Sequence, residues 1–171
     1  LGEKQGAALA NVLFGKVSPS GRLNTTWYAD ESQLGELQHD YSIYPTASDP
    51  QDIDLDNGGS YGRTYMYFVG DVDYPFGYGL SYGTFAYSDY SIADNNDGTL
   101  TATVTVKNTS DVDASEVVQL YAVGPNAAEL NRADKQLAGF DKVFLKAGES
   151  QQVTITVKLK DLASWDESKG C

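Results

Sequence analysis

The chain has 171 residues, 41% of them hydrophobic, which allows one domain or two small ones and excludes global disorder. Its 24 Asp and Glu against 12 Lys and Arg give a formal charge of -12. That charge repels phosphate backbones and anionic lipid surfaces, so no nucleic-acid or membrane partner is expected, whereas a neutral ligand such as a sugar is indifferent to it.

In chain order, "EKQGAALANVLF" (3–14) reads as a helix, with Leu9, Val12 and Leu13 on one face and Gly15 as its stop. The chain opens at Leu1, not Met, and this start reads as the interior of something longer. "SPSG" is a turn, and "LNTTWY" (23–28) reads as a short strand. Residues 29–62 are rich in Pro, Asp, Asn, Gly and Ser and read as a long loop, uncommon in a compact domain unless functional or packed on something.

From residue 86 the period becomes two. "FAYSDYSI", "TLTATVTVKN", "SEVVQLYAVG", "QLAGFDKVFL" and "SQQVTITVKL" read as five strands, with tight turns at "NNDG" (95–98) and "KAGES" (146–150). Strands at this spacing without helices between them argue for an antiparallel sandwich. Five are fewer than the roughly seven of an immunoglobulin-like sandwich, so it reads as incomplete. The expected division is 1–45 for the end of an α/β domain, 46–85 for a loop and aromatic-glycine linker, and 86–171 for the partial sandwich.

Several groups invite a chemical reading. Asp49, Asp52, Asp54 and Asp56 crowd the loop. They suit a solvated acidic surface, an acid/base pair, or calcium. The calcium template is broken, because Asn57 stands where its glycine belongs and Arg63 where its bidentate Glu belongs. No metal or cofactor is therefore expected. His39 is the only histidine and reads as ordinary surface, and the lone Cys171 cannot form an internal disulfide. Arg63, Tyr65 and Tyr67 in "GRTYMYF" are candidates for sugar binding, against a plain strand at that place. "NTT" (24–26) and "NTS" (108–110) have the form of glycosylation sequons. In "YPFGYGLSY" (74–82), Tyr74, Phe76, Tyr78 and Tyr82 alternate with glycines. They suit either a packed seam or an exposed sugar platform.

Taken in order, "GAALANVLFGKVSPSGRLNTTW", "GRTYMYF", "YPFGYGLSYGTFAYS", "VTVKNTSDVDASEVVQLYAVGP", "QLAGFDKVFLKAGES" and "VTITVKLKDLASWDE" resemble the C-terminal part of glycoside hydrolase family 3, the β-glucosidases and β-xylosidases. The resemblance implies the end of an α/β sandwich domain followed by a fibronectin type III-like domain, with "YPFGYGLSY" as the joint. It implies an enzyme that removes terminal non-reducing β-D-glucosyl or β-D-xylosyl residues by a retaining two-carboxylate mechanism. Neither carboxylate motif occurs in this chain, so no catalytic residue is assigned, and the chain alone is expected to be inactive. Its partners would be the rest of the same enzyme and a β-glycoside. A secreted or periplasmic location suits the family, and a cytoplasmic one is also open. The rival reading is a stand-alone carbohydrate-binding or adhesion sandwich.

Overall fold

The computed structural model describes residues 2–34, 64–124, 133 and 135–163. Helix α1 spans Gln5–Leu13. Ala and Leu favour the helical backbone, and the stop is a Schellman cap. Gly15, at φ 69°, donates to the Val12 carbonyl (3.0 Å), and Lys16 N donates to Asn11 O (2.8 Å). Leu9 and Leu13 lie on the helix as expected, yet both are exposed in this chain.

Strands β1 (Trp27–Tyr28) and β2 (Val72–Tyr74) pair antiparallel as a short ribbon. Only the end of the stretch 23–28 is therefore strand. A 3₁₀ turn covers Glu31–Leu34. Thr64–Tyr67, read as part of a plain strand if not a sugar site, is instead one helical turn, α2. Thr64 begins it at φ 59°, and its N–H donates to the Tyr28 hydroxyl at 2.9 Å. That bond ties the start of the turn to β1.

The five strands of the sandwich are β3 (Phe85–Asp94), β4 (Thr99–Asn108), β5 (Ala114–Ala122), β6 (Gln136–Leu145) and β7 (Ser150–Lys158). They form a three-stranded sheet, β3-β4-β7, and a two-stranded sheet, β5-β6. The turn 95–98 closes the β3–β4 hairpin, with Asn96 and Gly98 at positive φ. The turn at 146–149 instead carries the chain from one sheet to the other, since β6 and β7 do not pair. A bulge at Asp89, φ 50°, interrupts the β3 register between Ser88 and Ser91.

The alternation seen in the sequence becomes burial. Val106, Val153, Ile155 and Val157 from one sheet meet Ala114, Val118, Val143 and Leu145 from the other, all buried. Each valine, leucine or isoleucine among them contributes about 1.5–3 kcal/mol when fully buried. A Cβ on Gly139 would lie 2.6 Å from Ile155 Cγ2, so the two sheets approach closely where β6 carries no side chain.

The chain divides into two compact units. One comprises Leu1–Arg22, Gly79–Leu120 and Ala138–Asp161, and so holds α1 and most of the sandwich. The other comprises Leu23–Tyr78, Tyr121–Leu137 and Leu162–Cys171.

Candidate functional site

Three clusters of polar and aromatic side chains stand out, two in the second unit and one in the first. In the second unit, α2 presents Tyr65 to the segment after β2. The Tyr65 ring stacks on Phe76, with centroids 4.0 Å apart and planes 17° from parallel. Tyr121, at the end of β5, meets both edge-on, at 6.1 Å and 6.5 Å. The Leu137 N–H donates to the Tyr65 hydroxyl at 3.0 Å. Lys135 Nζ sits 5.9 Å from the Tyr121 ring centre. Burial, then the neighbouring Tyr65, pushes the Tyr121 hydroxyl above its ordinary pKa.

A second aromatic group lies on the β1–β2 ribbon of the same unit. Trp27 meets Tyr74 edge-on at 6.0 Å, and Tyr74 meets Tyr78 at 5.1 Å. All three rings are exposed in this chain, Trp27 at 55%. They are not coplanar, with interplanar angles of 81° and 43°.

In the first unit the cluster is ionic. Glu116 lies on the inward face of β5 between Ala114 and Val118, and only 8% of it is exposed. Arg22 Nη2 donates to its Oε2 at 2.5 Å, and the Tyr87 hydroxyl donates to its Oε1 at 2.8 Å. Burial first, and then the Glu116 carboxylate, hold the Tyr87 hydroxyl in its neutral form, well above its ordinary pKa. The Tyr82 hydroxyl donates to Val12 O at the end of α1 (2.8 Å).

The sequence candidates are thus scattered. Tyr65 belongs to the ring cluster, and Phe76 covers one face of it. Tyr67 ends α2, half-buried. Of the four rings of 74–82, Phe76 joins the Tyr65 cluster, Tyr74 and Tyr78 pair with each other, and Tyr82 bonds α1. Arg63, His39, Asp49, Asp52, Asp54, Asp56 and Cys171 lie outside the described residues. Among the described residues no group of acidic, His and Cys side chains is arranged to hold a metal.

The two sequons differ. Asn24 is exposed. Asn108 is fully buried: its amide donates to Val112 O (2.8 Å) and Leu145 O (3.2 Å), and its carbonyl oxygen accepts from Ser110 N and Oγ. A glycan on Asn108 is incompatible with this fold, so the "NTS" there is a structural motif. The glutamate at 116 drew no attention in the sequence, because its partner Arg22 is 94 residues away.

Helix α1 with the short β1–β2 ribbon, followed by a sandwich of five described strands, defines the end of an α/β domain joined to a fibronectin type III-like domain. Residues 1–82 match the model of the glycosyl hydrolase family 3 C-terminal domain, and residues 116–171 match that of the fibronectin type III-like domain. The chain belongs to glycoside hydrolase family 3 and corresponds to its C-terminal portion.

Among its relatives, an exo-alpha-(1->6)-L-arabinopyranosidase of Bifidobacterium longum is 44% identical over 98% of this chain and 21% of its own length. A xylan 1,4-beta-xylosidase of Xylanibacter ruminicola is 34% identical over 96% of this chain and 17% of its own. The crystal structure of a family 3 beta-glucosidase of Bifidobacterium adolescentis superposes with a TM-score of 0.75 at 39% identity, covering 99% of this chain and 24% of that one. The chain thus spans about a fifth of the length of the curated relatives it matches.

Proposed function

We propose that this chain is the C-terminal part of a glycosidase that cleaves terminal pyranosyl residues from glycosides, with its catalytic carboxylates outside these residues. The observation that carries the reading is the ordered match of both family domains along one chain, together with a fold like that of a family 3 beta-glucosidase. The chain's own part is structural. It completes the α/β domain through α1 and the β1–β2 ribbon, and braces it with the sandwich. Tyr74 and Tyr78, exposed here, are proposed to be covered by the rest of the enzyme. A retaining mechanism follows from the family resemblance alone.

The relatives' printed activities leave three glycosides to compare: β-D-glucoside, β-D-xyloside and α-L-arabinopyranoside. The decisive experiment assays the intact protein on the aryl derivative of each, beside the isolated chain. Turnover of at least one by the intact protein, and of none by the isolated chain, is expected. A folded intact protein that turns over none would overturn the assignment. Turnover by the isolated chain, abolished by Asp52→Asn or Asp54→Asn, would move the chemistry into the acidic segment.

A further inference from the structure

Buried carboxylates are rarely tolerated without a partner, because a charged group is strongly disfavoured out of water. Glu116 occupies such a position. It alternates with Ala114 and Val118 on the face of β5 that lines the sandwich core. Tyr87 reaches it from the other sheet, and pairs in register with the buried Val106. A tyrosine hydroxyl supplies a hydrogen bond but no countercharge. The countercharge is Arg22, and Arg22–Glu116 is the only ion pair among the described residues. Arg22 belongs to none of the sandwich strands; it stands in the segment that follows α1.

That segment is stitched to residues 79–82, the stretch that leads into β3. Tyr82 donates through its hydroxyl to Val12 O (2.8 Å) and through its N–H to Ser18 Oγ (3.0 Å), and Ser18 Oγ meets Ser81 Oγ at 3.1 Å. A Cβ on Gly79 would fall 2.2 Å from Gly21 O and 2.8 Å from Arg22 Nη1, so Arg22 passes directly beneath a bare backbone. A Cβ on Gly83 would fall 2.5 Å from the Ala114 Cβ, which seats the same stretch on β5.

We propose that the fibronectin type III-like sandwich of this chain is not an autonomous module, and that its folded state requires residues 12–22, whose Arg22 neutralises Glu116 inside the sandwich. This inference is independent of the catalytic assignment, because it concerns stability and not turnover.

The test is a double-mutant cycle in the intact protein, comparing Arg22→Met, Glu116→Leu and the pair, with peptide-resolved hydrogen exchange over residues 85–94 and 114–122. Arg22→Met leaves the carboxylate buried and alone. Exchange in both strands should rise by at least about tenfold, although the substituted residue lies in neither. Arg22→Met/Glu116→Leu removes both charges and should restore most of the protection. Arg22→Lys keeps the charge but not the planar fork, and should fall between wild type and Arg22→Met. If Arg22→Met fails to fold while the double variant folds, the inference stands. If both fail, or if the single effects simply add in the double variant, or if the two strands keep their protection in Arg22→Met, it is overturned.

Discussion

Asn108 and Leu145 are both fully buried, and the Asn108 side-chain amide donates to the Leu145 carbonyl across the gap between the two sheets. The same amide also serves the Val112 carbonyl. One side chain therefore ties the end of β4 to the loop before β5 and to the end of β6. Asn108→Ala leaves those acceptors without donors. Since an orphaned buried group costs about 1–3 kcal/mol, a loss of about 2–4 kcal/mol is expected by chemical denaturation. A loss below about 1 kcal/mol would mean that water replaces the amide.

The Tyr65–Phe76 stack gives a second expectation. Phe76 is half-buried, so Phe76→Ala should cost less than the roughly 3–5 kcal/mol of a fully buried ring, about 2 kcal/mol. Tyr65→Phe removes only the acceptor for Leu137 N–H and should cost about 1 kcal/mol. Denaturation with near-ultraviolet dichroism measures both. Unchanged stability combined with lost sugar affinity would instead mark these rings as a binding surface.

Tyr87 makes stability depend on pH at the alkaline end. Its hydroxyl is held neutral by burial and by Glu116, so its folded pKa lies above the ordinary 10.0. The unfolded chain releases this proton near pH 10 while the folded chain keeps it. The stabilisation is therefore fully present below about pH 10 and fades as the pH climbs toward the folded value. The denaturation midpoint should fall between about pH 9 and pH 11, and it should fall less steeply in Tyr87→Phe. Parallel curves for the two proteins would show that other groups carry the dependence.

Thr26 Oγ1 is buried with no hydrogen-bond partner among the described residues. Thr26→Val keeps the shape and removes the unsatisfied hydroxyl. The variant is expected to be as stable as wild type or more stable, by up to about 1 kcal/mol. A clear loss in a thermal melt would mean that this hydroxyl has a partner after all.

The strand ladder was legible because burial on one face imposes a period of two, which β5 and β7 show most clearly, and β4 and β6 span the segments 99–108 and 136–145 read as strands. Tyr65 drew notice as an aromatic residue, but its neighbours did not. Tyr121 reaches it from a strand 56 positions on, and the Leu137 N–H from 72. Glu116 was invisible for a related reason. A lone glutamate in an alternating strand looks like an outward residue until a distant arginine is placed against it. The turn at Thr64 misled in the opposite sense: Thr and Tyr favour strands, and the Tyr28 hydroxyl that meets its first N–H lies 36 residues away. Asn108 carried a surface-modification motif, and its burial follows only once β6 is brought beside it.

The backbone meets itself between Leu23 and the stretch 77–78. Leu23 N donates to Tyr78 O at 2.8 Å, and Gly77 N donates to Leu23 O at 2.7 Å. The two ends of the span 23–78 are thus held together by a pair of peptide hydrogen bonds, beside the β1–β2 ribbon. For a segment whose two ends are already fastened together, length is a weak variable. Doubling a flexible loop adds only about 0.6 kcal/mol of closure entropy. Evolution can therefore rewrite this excursion, lengthening it or trading it for another, while that pair of bonds keeps the residues on either side in register.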